Sequence, residues 1–234
     1  PATKRPVQVY GQVELSAISP RDKPWDKHRA ETDKVQSLYE QTPFDSYAER
    51  MRSCSGFLEF GAIHGDDELT LKLKSARFCK VRHCPVCQWR KSHMWSARFY
   101  KALPKLIEDN PNHRYIFLTL TVKNCQVQDL KATLKVMNKA YDRMSKRKVF
   151  PAVGVVRKME VTRNHDDDTA HPHFHCLLMV DKDYFRGSKY LSQAKWTELW
   201  RKALKADYEP IVNVKTVKCK KGKEIGRASC RERV

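Results

Sequence analysis

Between residues 114 and 217 the hydrophobic positions recur at two spacings, every second residue or every third and fourth, and the spacings alternate in a definite order. From Arg114 to Val122, Ile116, Leu118, Leu120 and Val122 fall on one side, and Phe117, Thr119 and Thr121 on the other, as in a β-strand. From about Val127 to Arg147, Leu130, Leu134, Met137, Tyr141 and Met144 trace the stripe of an amphipathic helix. A second strand is predicted over Val153 to Thr162, a polar turn over Asn164 to Asp168, and a third strand over 171 to 180. A helix then starts at Ser192, whose hydroxyl can cap the free amides while Leu191 and Trp196 form a hydrophobic staple; its buried stripe is Trp196, Leu199, Trp200, Ala203 and Leu204. Ile211 to Val217 reads as a last strand. The order β-α-β-β-α-β predicts an α+β fold: an antiparallel sheet with both helices on one face and the other face open.

The third strand carries the most informative chemistry. His171, Pro172, His173, Phe174 and His175 precede the apolar run Cys176 to Val180. An extended chain shows each face every second residue, so the three imidazoles share one surface while Phe174, Cys176 and Leu178 enter the core. If the strands at 153–162 and 171–180 form a hairpin centred near Asp166 and Asp167, Glu160 stands opposite His173. Glu160, His173 and His175 then make a metal site of two imidazoles and a carboxylate, with positions left for water or a phosphate oxygen. His171, opposite Thr162, sits at the rim as an alternate ligand or a phosphate-facing group. Asp166, Asp167 and Asp168 read as a solvated turn.

Upstream the pattern is weaker. Residues 1 to about 33 are polar, contain Pro6, Pro20 and Pro24, and read as a loose arm; residues 34–53 suggest one or two short helices broken at Pro43. The stretch 54–110 is distinguished by Cys54, Cys79, Cys84 and Cys87, four thiols with the knuckle spacing of a tetrahedral structural zinc site, with His83 as reserve ligand. Basic residues crowd this unit, and Arg82, Arg90, Lys91 and Arg98 are its candidate DNA contacts. A helix predicted from Pro85 to Leu103 carries Trp95, Phe99 and Leu103 on one stripe, either a DNA-docking face or the core face that fastens the unit.

Composition sharpens this. Forty-six Lys and Arg against 27 Asp and Glu give a net charge of +19, interleaved with five Trp, nine Tyr and nine Phe. Such a surplus calls for a polyanionic partner whose bases can stack on rings, and nucleic acid fits best. No apolar run approaches the roughly 18 residues of a membrane span, and the start of the chain is polar, so the cytoplasm is expected and a membrane partner is not. Residues 224–234 look like the translation of a sequencing-adapter oligonucleotide. They carry three Arg and two Glu, so setting them aside hardly moves the charge, and they imply a natural sequence that continued past Lys223.

Phe117 to Thr121, followed by His171 to His175, with Cys54 and the Cys79, Cys84, Cys87 knuckle upstream, resembles the replication initiators of small rolling-circle plasmids in the HUH endonuclease superfamily. The resemblance covers about Ser53 to Lys223. It implies a small zinc-binding helical unit over 54–110 and an HUH nuclease core over 111–223, truncated at its C-terminal end. It further implies an enzyme that nicks and rejoins origin DNA, single-stranded or cruciform, with host helicase and polymerase as further partners. In that family the two flanking histidines, here His173 and His175, bind Mg2+ or Mn2+, and a tyrosine on a later helix attacks the scissile phosphate. No tyrosine here matches that motif; Tyr184, Tyr190 and Tyr208 are available but read as structural, so this chain is expected to lack the nucleophile and to be inactive or impaired. Rival readings are a transposase or mobilisation relaxase of the same superfamily, and a non-enzymatic zinc-containing nucleic-acid-binding module, since the element order is also that of the RNA-recognition fold.

Overall fold

A computed structural model of the chain describes residues 14–64, 69–164 and 166–217. The first 13 residues of the expected arm and the adapter-like tail at 224–234 lie outside the described residues. The chain divides into two compact units, residues 1–102 and 103–234. No described helix is long and apolar enough to cross a membrane.

In the first unit, α1 (Leu15–Ile18) leads through a 3-10 turn into α2 (Lys23–Glu40), then α3 (Asp45–Arg52) and a hairpin of β1 (Leu58–His64) and β2 (Leu69–Ala76). The loose arm expected up to Asp33 is therefore corrected. Pro24 stands in the first turn of α2, where a missing amide costs nothing. The Asp26 carboxylate accepts the amides of Leu15 at 2.8 Å and Ser16 at 2.9 Å, tying α1 down. Burial pushes that carboxyl up, but the hydrogen bonds from Ser16 and Leu15 outweigh it and hold it below its ordinary value. Trp25 is buried at the centre, edge-on to Trp89 and Phe60 and parallel to Phe78. Val35 and Tyr39 of α2 pack partly buried against the same cluster, while the first half of the helix offers Trp25 among charged residues, too sparse a stripe to show as periodicity.

The hairpin was not anticipated, although Leu69-Thr70-Leu71-Lys72-Leu73-Lys74 alternates with the period of a strand. Its strands pair antiparallel, with a bulge between Glu59 and Phe60. The helix that follows the cysteine knuckle, α4, spans Pro85–Asp109 and runs through Pro104, beyond the expected end at Leu103.

The second unit is built on β3 (His113–Thr121), β4 (Cys125–Gln126), α5 (Leu130–Ser145), β5 (Ala152–Arg163), β6 (Thr169–Asp181), α6 (Gln193–Leu204) and β7 (Val212–Thr216). β6 pairs antiparallel with β5 and with β3, and β3 pairs antiparallel with β7; β4 meets β6 at Thr169 and Ala170. This is a mixed helix-and-sheet fold on an antiparallel sheet, as the periodicities predict. Phe174, Cys176 and Leu178 of β6 join Ile116, Leu118 and Leu120 of β3 in one core with Met137, Tyr141 and Met144 of α5 and Trp196 and Trp200 of α6. Both helices thus cover the same sheet face.

Both buried indoles of this core find acceptors. The Trp200 indole N–H donates to the Thr121 carbonyl at 2.8 Å, and that of Trp196 to the Tyr184 hydroxyl at 3.0 Å. The Ser192 hydroxyl accepts from the Lys195 amide, the expected cap, and Lys205 ends α6 in the left-handed conformation. Truncating a wholly buried ring such as Phe174 to alanine costs about 3–5 kcal/mol.

Candidate metal centres

Along β6 burial alternates residue by residue, so His171, His173 and His175 stand together on the face opposite the helices. Glu160 of β5 pairs with His173 and Thr162 with His171, the register the hairpin argument requires, while Thr119 of β3 pairs with His175. One ligand atom from each of Glu160, His173 and His175 lies within 4.8 Å of the others. The Glu160 carboxylate is 3.5 Å from His175 Nε2, and both side chains keep about a third of their surface exposed (32% and 29%). A cation about 2.1 Å from each of its ligands spaces them roughly 3.0–3.4 Å apart, so this trio fits a divalent ion with little adjustment.

The imidazoles are oriented from behind. His173 Nδ1 lies 3.2 Å from the His171 carbonyl oxygen, which can only accept, so Nδ1 carries the hydrogen and Nε2 keeps its lone pair for a ligand. His175 Nδ1 meets the Thr119 hydroxyl at 3.3 Å, and the Phe117 ring stacks on the His175 imidazole at 5.4 Å. Lys158, on the same face of β5, places Nζ 3.9 Å from Glu160. His171 stands outside the trio, its Nδ1 held 2.7 Å from the Asn124 amide oxygen. Burial, and then the charge of His173, push His171 below the ordinary histidine range. The acidic turn closes on itself: Asp167 accepts from Thr169, and Asp168 pairs with Arg163.

The second cluster lies in the first unit. Ligand atoms of Cys54, Cys79, Cys84 and Cys87 all fall within 4.8 Å of one another. The sulfur separations Cys54 to Cys84, Cys54 to Cys87 and Cys79 to Cys87 are 3.6, 3.7 and 3.6 Å. Four sulfurs about 2.3 Å from a central ion sit roughly 3.8 Å apart, so the thiols trace the edges of a tetrahedron of zinc–thiolate size and are far too distant for disulfides. Cys54 therefore completes the set, and His83 is exposed outside it. The Cys79 amide points at Cys54 Sγ and the Val81 amide at Cys79 Sγ, each at 3.5 Å, a turn for which Lys80 adopts a left-handed φ of 57°. Such amides stabilise thiolates. The hydrogen bond from Cys54 lowers the Cys84 thiol to about 5 and correspondingly raises Cys54, while burial pushes Cys87 up to about 12.

With both clusters in view, the kinship of the chain can be read. Residues 70–233 match the family model described as replication protein, Rep_1. The chain belongs to this Rep family. It is 34% identical over 212 residues to "Protein rep" of Streptococcus pneumoniae serotype 2, covering 88% of this chain and 64% of that one. To "Protein rep" of a Bacillus species it is 44% identical over 180 residues (74% and 56% of the two chains). To "Protein rep" of Staphylococcus aureus it is 35% identical over 178 residues (75% and 76%). The chain spans less than two thirds of the length of the first two. No solved structure matches it.

The basic residues named from this Rep-family sequence fare differently. Arg82 and Lys91 are exposed, whereas Arg90 is half-buried, its guanidinium 5.3 Å from the Trp25 ring. Arg98 lies over Trp95, which is 55% exposed, so the stripe of α4 is not a continuous core face. Several supporting residues escaped the sequence. Thr32 of α2 is wholly buried and brings its hydroxyl to 3.7 Å from Cys84 Sγ, and Asn124 holds His171. Neither carries a sequence signal, because each acts through a partner at least 47 residues away. Thr119 was legible as a strand residue on the histidine face, and its partner followed only from the register.

Proposed function

We propose that the chain carries the catalytic region of a plasmid rolling-circle replication initiator of the HUH endonuclease type, which nicks and rejoins single-stranded origin DNA. The observation that carries this is the convergence of Glu160, His173 and His175 on the uncovered face of the sheet. Family membership supports the replication role, and the +19 charge supports a DNA partner. In this reading Glu160, His173 and His175 hold Mg2+ or Mn2+, Cys54, Cys79, Cys84 and Cys87 hold structural zinc in a basic unit over 54–110, and the protein works in the cytoplasm with host helicase and polymerase.

A divalent cation bound there supplies Lewis-acid polarisation of a non-bridging phosphate oxygen. The chain's own residues set that up. Thr119 and the His171 carbonyl fix the two imidazoles, Glu160 adds the anionic ligand, and Lys158 offers a positive charge beside it for the phosphodiester. Attack by a tyrosine forms its oxygen–phosphorus bond to the 5′-phosphate and breaks the bond to the 3′ oxygen, which leaves as a hydroxyl with the tyrosine's proton. The covalent link conserves the ester for rejoining.

Tyr184 and Tyr208 are engaged elsewhere. The first donates to the Leu191 carbonyl at 3.1 Å, and the second accepts from the Lys123 amide at 3.2 Å. Tyr190 follows a 3-10 turn beside Tyr184. The reading assigns none of them as nucleophile, so the chain binds metal and origin DNA without forming a covalent adduct. The test is Mn2+ titration followed by electron paramagnetic resonance. Wild type takes up one ion at this site and His173→Ala takes up none, with the fold retained. Equal uptake by both leaves only a nucleic-acid-binding module. A phosphotyrosyl adduct that disappears in Tyr190→Phe overturns the assignment of that tyrosine.

A further inference from the structure

Beside the cysteine knuckle the first unit contains a surface cavity of about 410 Å³, within the range of small-ligand pockets. One wall is aromatic: Tyr39 from the end of α2, Phe44 from the turn that follows, and Tyr47 from α3. Phe44 and Tyr47 are 57% and 39% exposed, with their rings nearly parallel (12°) and centroids 6.0 Å apart; Tyr39 stands edge-on to Tyr47 at 5.7 Å. The rest of the lining is the knuckle itself, Lys80, Val81, Arg82 and His83, together with Arg50. Among the described residues no carboxylate forms an ion pair with Lys80, Arg82 or His83. Arg50 donates to the Cys79 carbonyl and lies over the Tyr47 ring at 5.8 Å, which joins the two walls.

Exposed rings cost free energy in water, and unpaired cations in a concave site repel one another. A planar apolar surface carried on a polyanion relieves both at once. Neither a lipid nor a hydrophobic peptide supplies the anion and the flat ring together, whereas single-stranded DNA supplies both in each nucleotide. We propose that this cavity is a base-stacking subsite, in which an unpaired base of single-stranded DNA lies on Phe44 and Tyr47 while its flanking phosphates meet Lys80 and Arg82. The inference rests on the reading of the chain as acting on single-stranded DNA, and it adds a second contact on a different unit from the Glu160–His173–His175 centre. The cysteine cluster gains a role with it, because Cys79 and Cys84 pin the loop that carries the cationic wall.

The experiment compares full-length chain binding to fluorescein-labelled oligo-dT with binding to an abasic strand of equal length, which keeps the phosphates and lacks the bases. Wild type prefers oligo-dT by about tenfold, the scale of a base–aromatic stack. Phe44→Ala and Phe44→Leu lose most of that preference, and Phe44→Trp keeps it; the exposure of Phe44 makes all three tolerable to the fold. Arg82→Ala weakens both probes alike and lowers the salt slope by about one. A strand carrying 5-iododeoxyuridine photocrosslinks to the peptide containing Phe44 and Tyr47. Preference unchanged in Phe44→Leu, or crosslinks that avoid this peptide, overturns the subsite. His173→Ala retains the preference, so a failed metal reading and a failed subsite give different results.

Discussion

In the first unit four thiols from the end of α3, the loop after β2 and the start of α4 converge out of water; in the second, two imidazoles and a carboxylate from adjacent strands converge at the surface. Three of the four cysteines are buried, whereas Glu160, His173 and His175 are all half-exposed. The difference teaches where each cluster gets its order. The strand ladder already holds the imidazoles at fixed positions, so an ion there adds chemistry to a surface that exists without it. The cysteines sit on elements that share a small core around Trp25, so an ion bound by them, as proposed, would stitch these elements together and be part of the fold.

On the proposed zinc assignment, removing the ion from the cysteine cluster is expected to have the largest effect. Zinc-site binding energies of about 10–16 kcal/mol exceed what so small a core can replace. A strong chelator, or Cys84→Ala, therefore exposes the amides of α2 and the β1–β2 hairpin to rapid hydrogen exchange while β3 and β6 stay protected. Exchange unchanged in α2 would erase the contrast between the clusters. Next in size, Glu160→Gln removes the proposed anionic ligand and weakens Mn2+ binding by about a hundredfold, with thermal stability hardly moved, since the Glu160 side chain is 32% exposed on the open face. A melting temperature that drops along with affinity would show that the open cluster also holds structure.

Smaller effects sharpen the picture. Thr119→Val deletes the hydroxyl at 3.3 Å from His175 Nδ1 and fills the same space, and calorimetry should find Mn2+ affinity down about tenfold with the fold intact. Asn124→Ala frees His171, which stands outside the trio, and is expected to leave affinity within about twofold. A tenfold loss there would make His171 a participant.

Much of the second unit was legible because its periodicities are strong and its elements are neighbours in sequence. The alternation in β6 set the face of all three histidines, and a short turn at 164–168 set the pairing of Glu160 with His173, so this site could be assembled on paper. The first unit was harder. The knuckle spacing announced four ligands, but the first half of α2 hid behind charged residues around a single indole, and the period-two run at 69–75 has its partner only in β1. Separating His171 from the Glu160–His173–His175 trio needed Asn124, which lies just ahead of β4 and is 47 residues away in the chain.

The sequence by itself determined which residue types carry the chemistry and, through spacing, which face of its own element each occupies, because periodicity is a local property of the backbone. Only the tertiary structure decided which cysteine closes the tetrahedron, which histidine is held aside, and that an aromatic turn and a cationic knuckle line one cavity. Those are distances between segments far apart in the chain, and they are fixed by packing rather than by any local pattern.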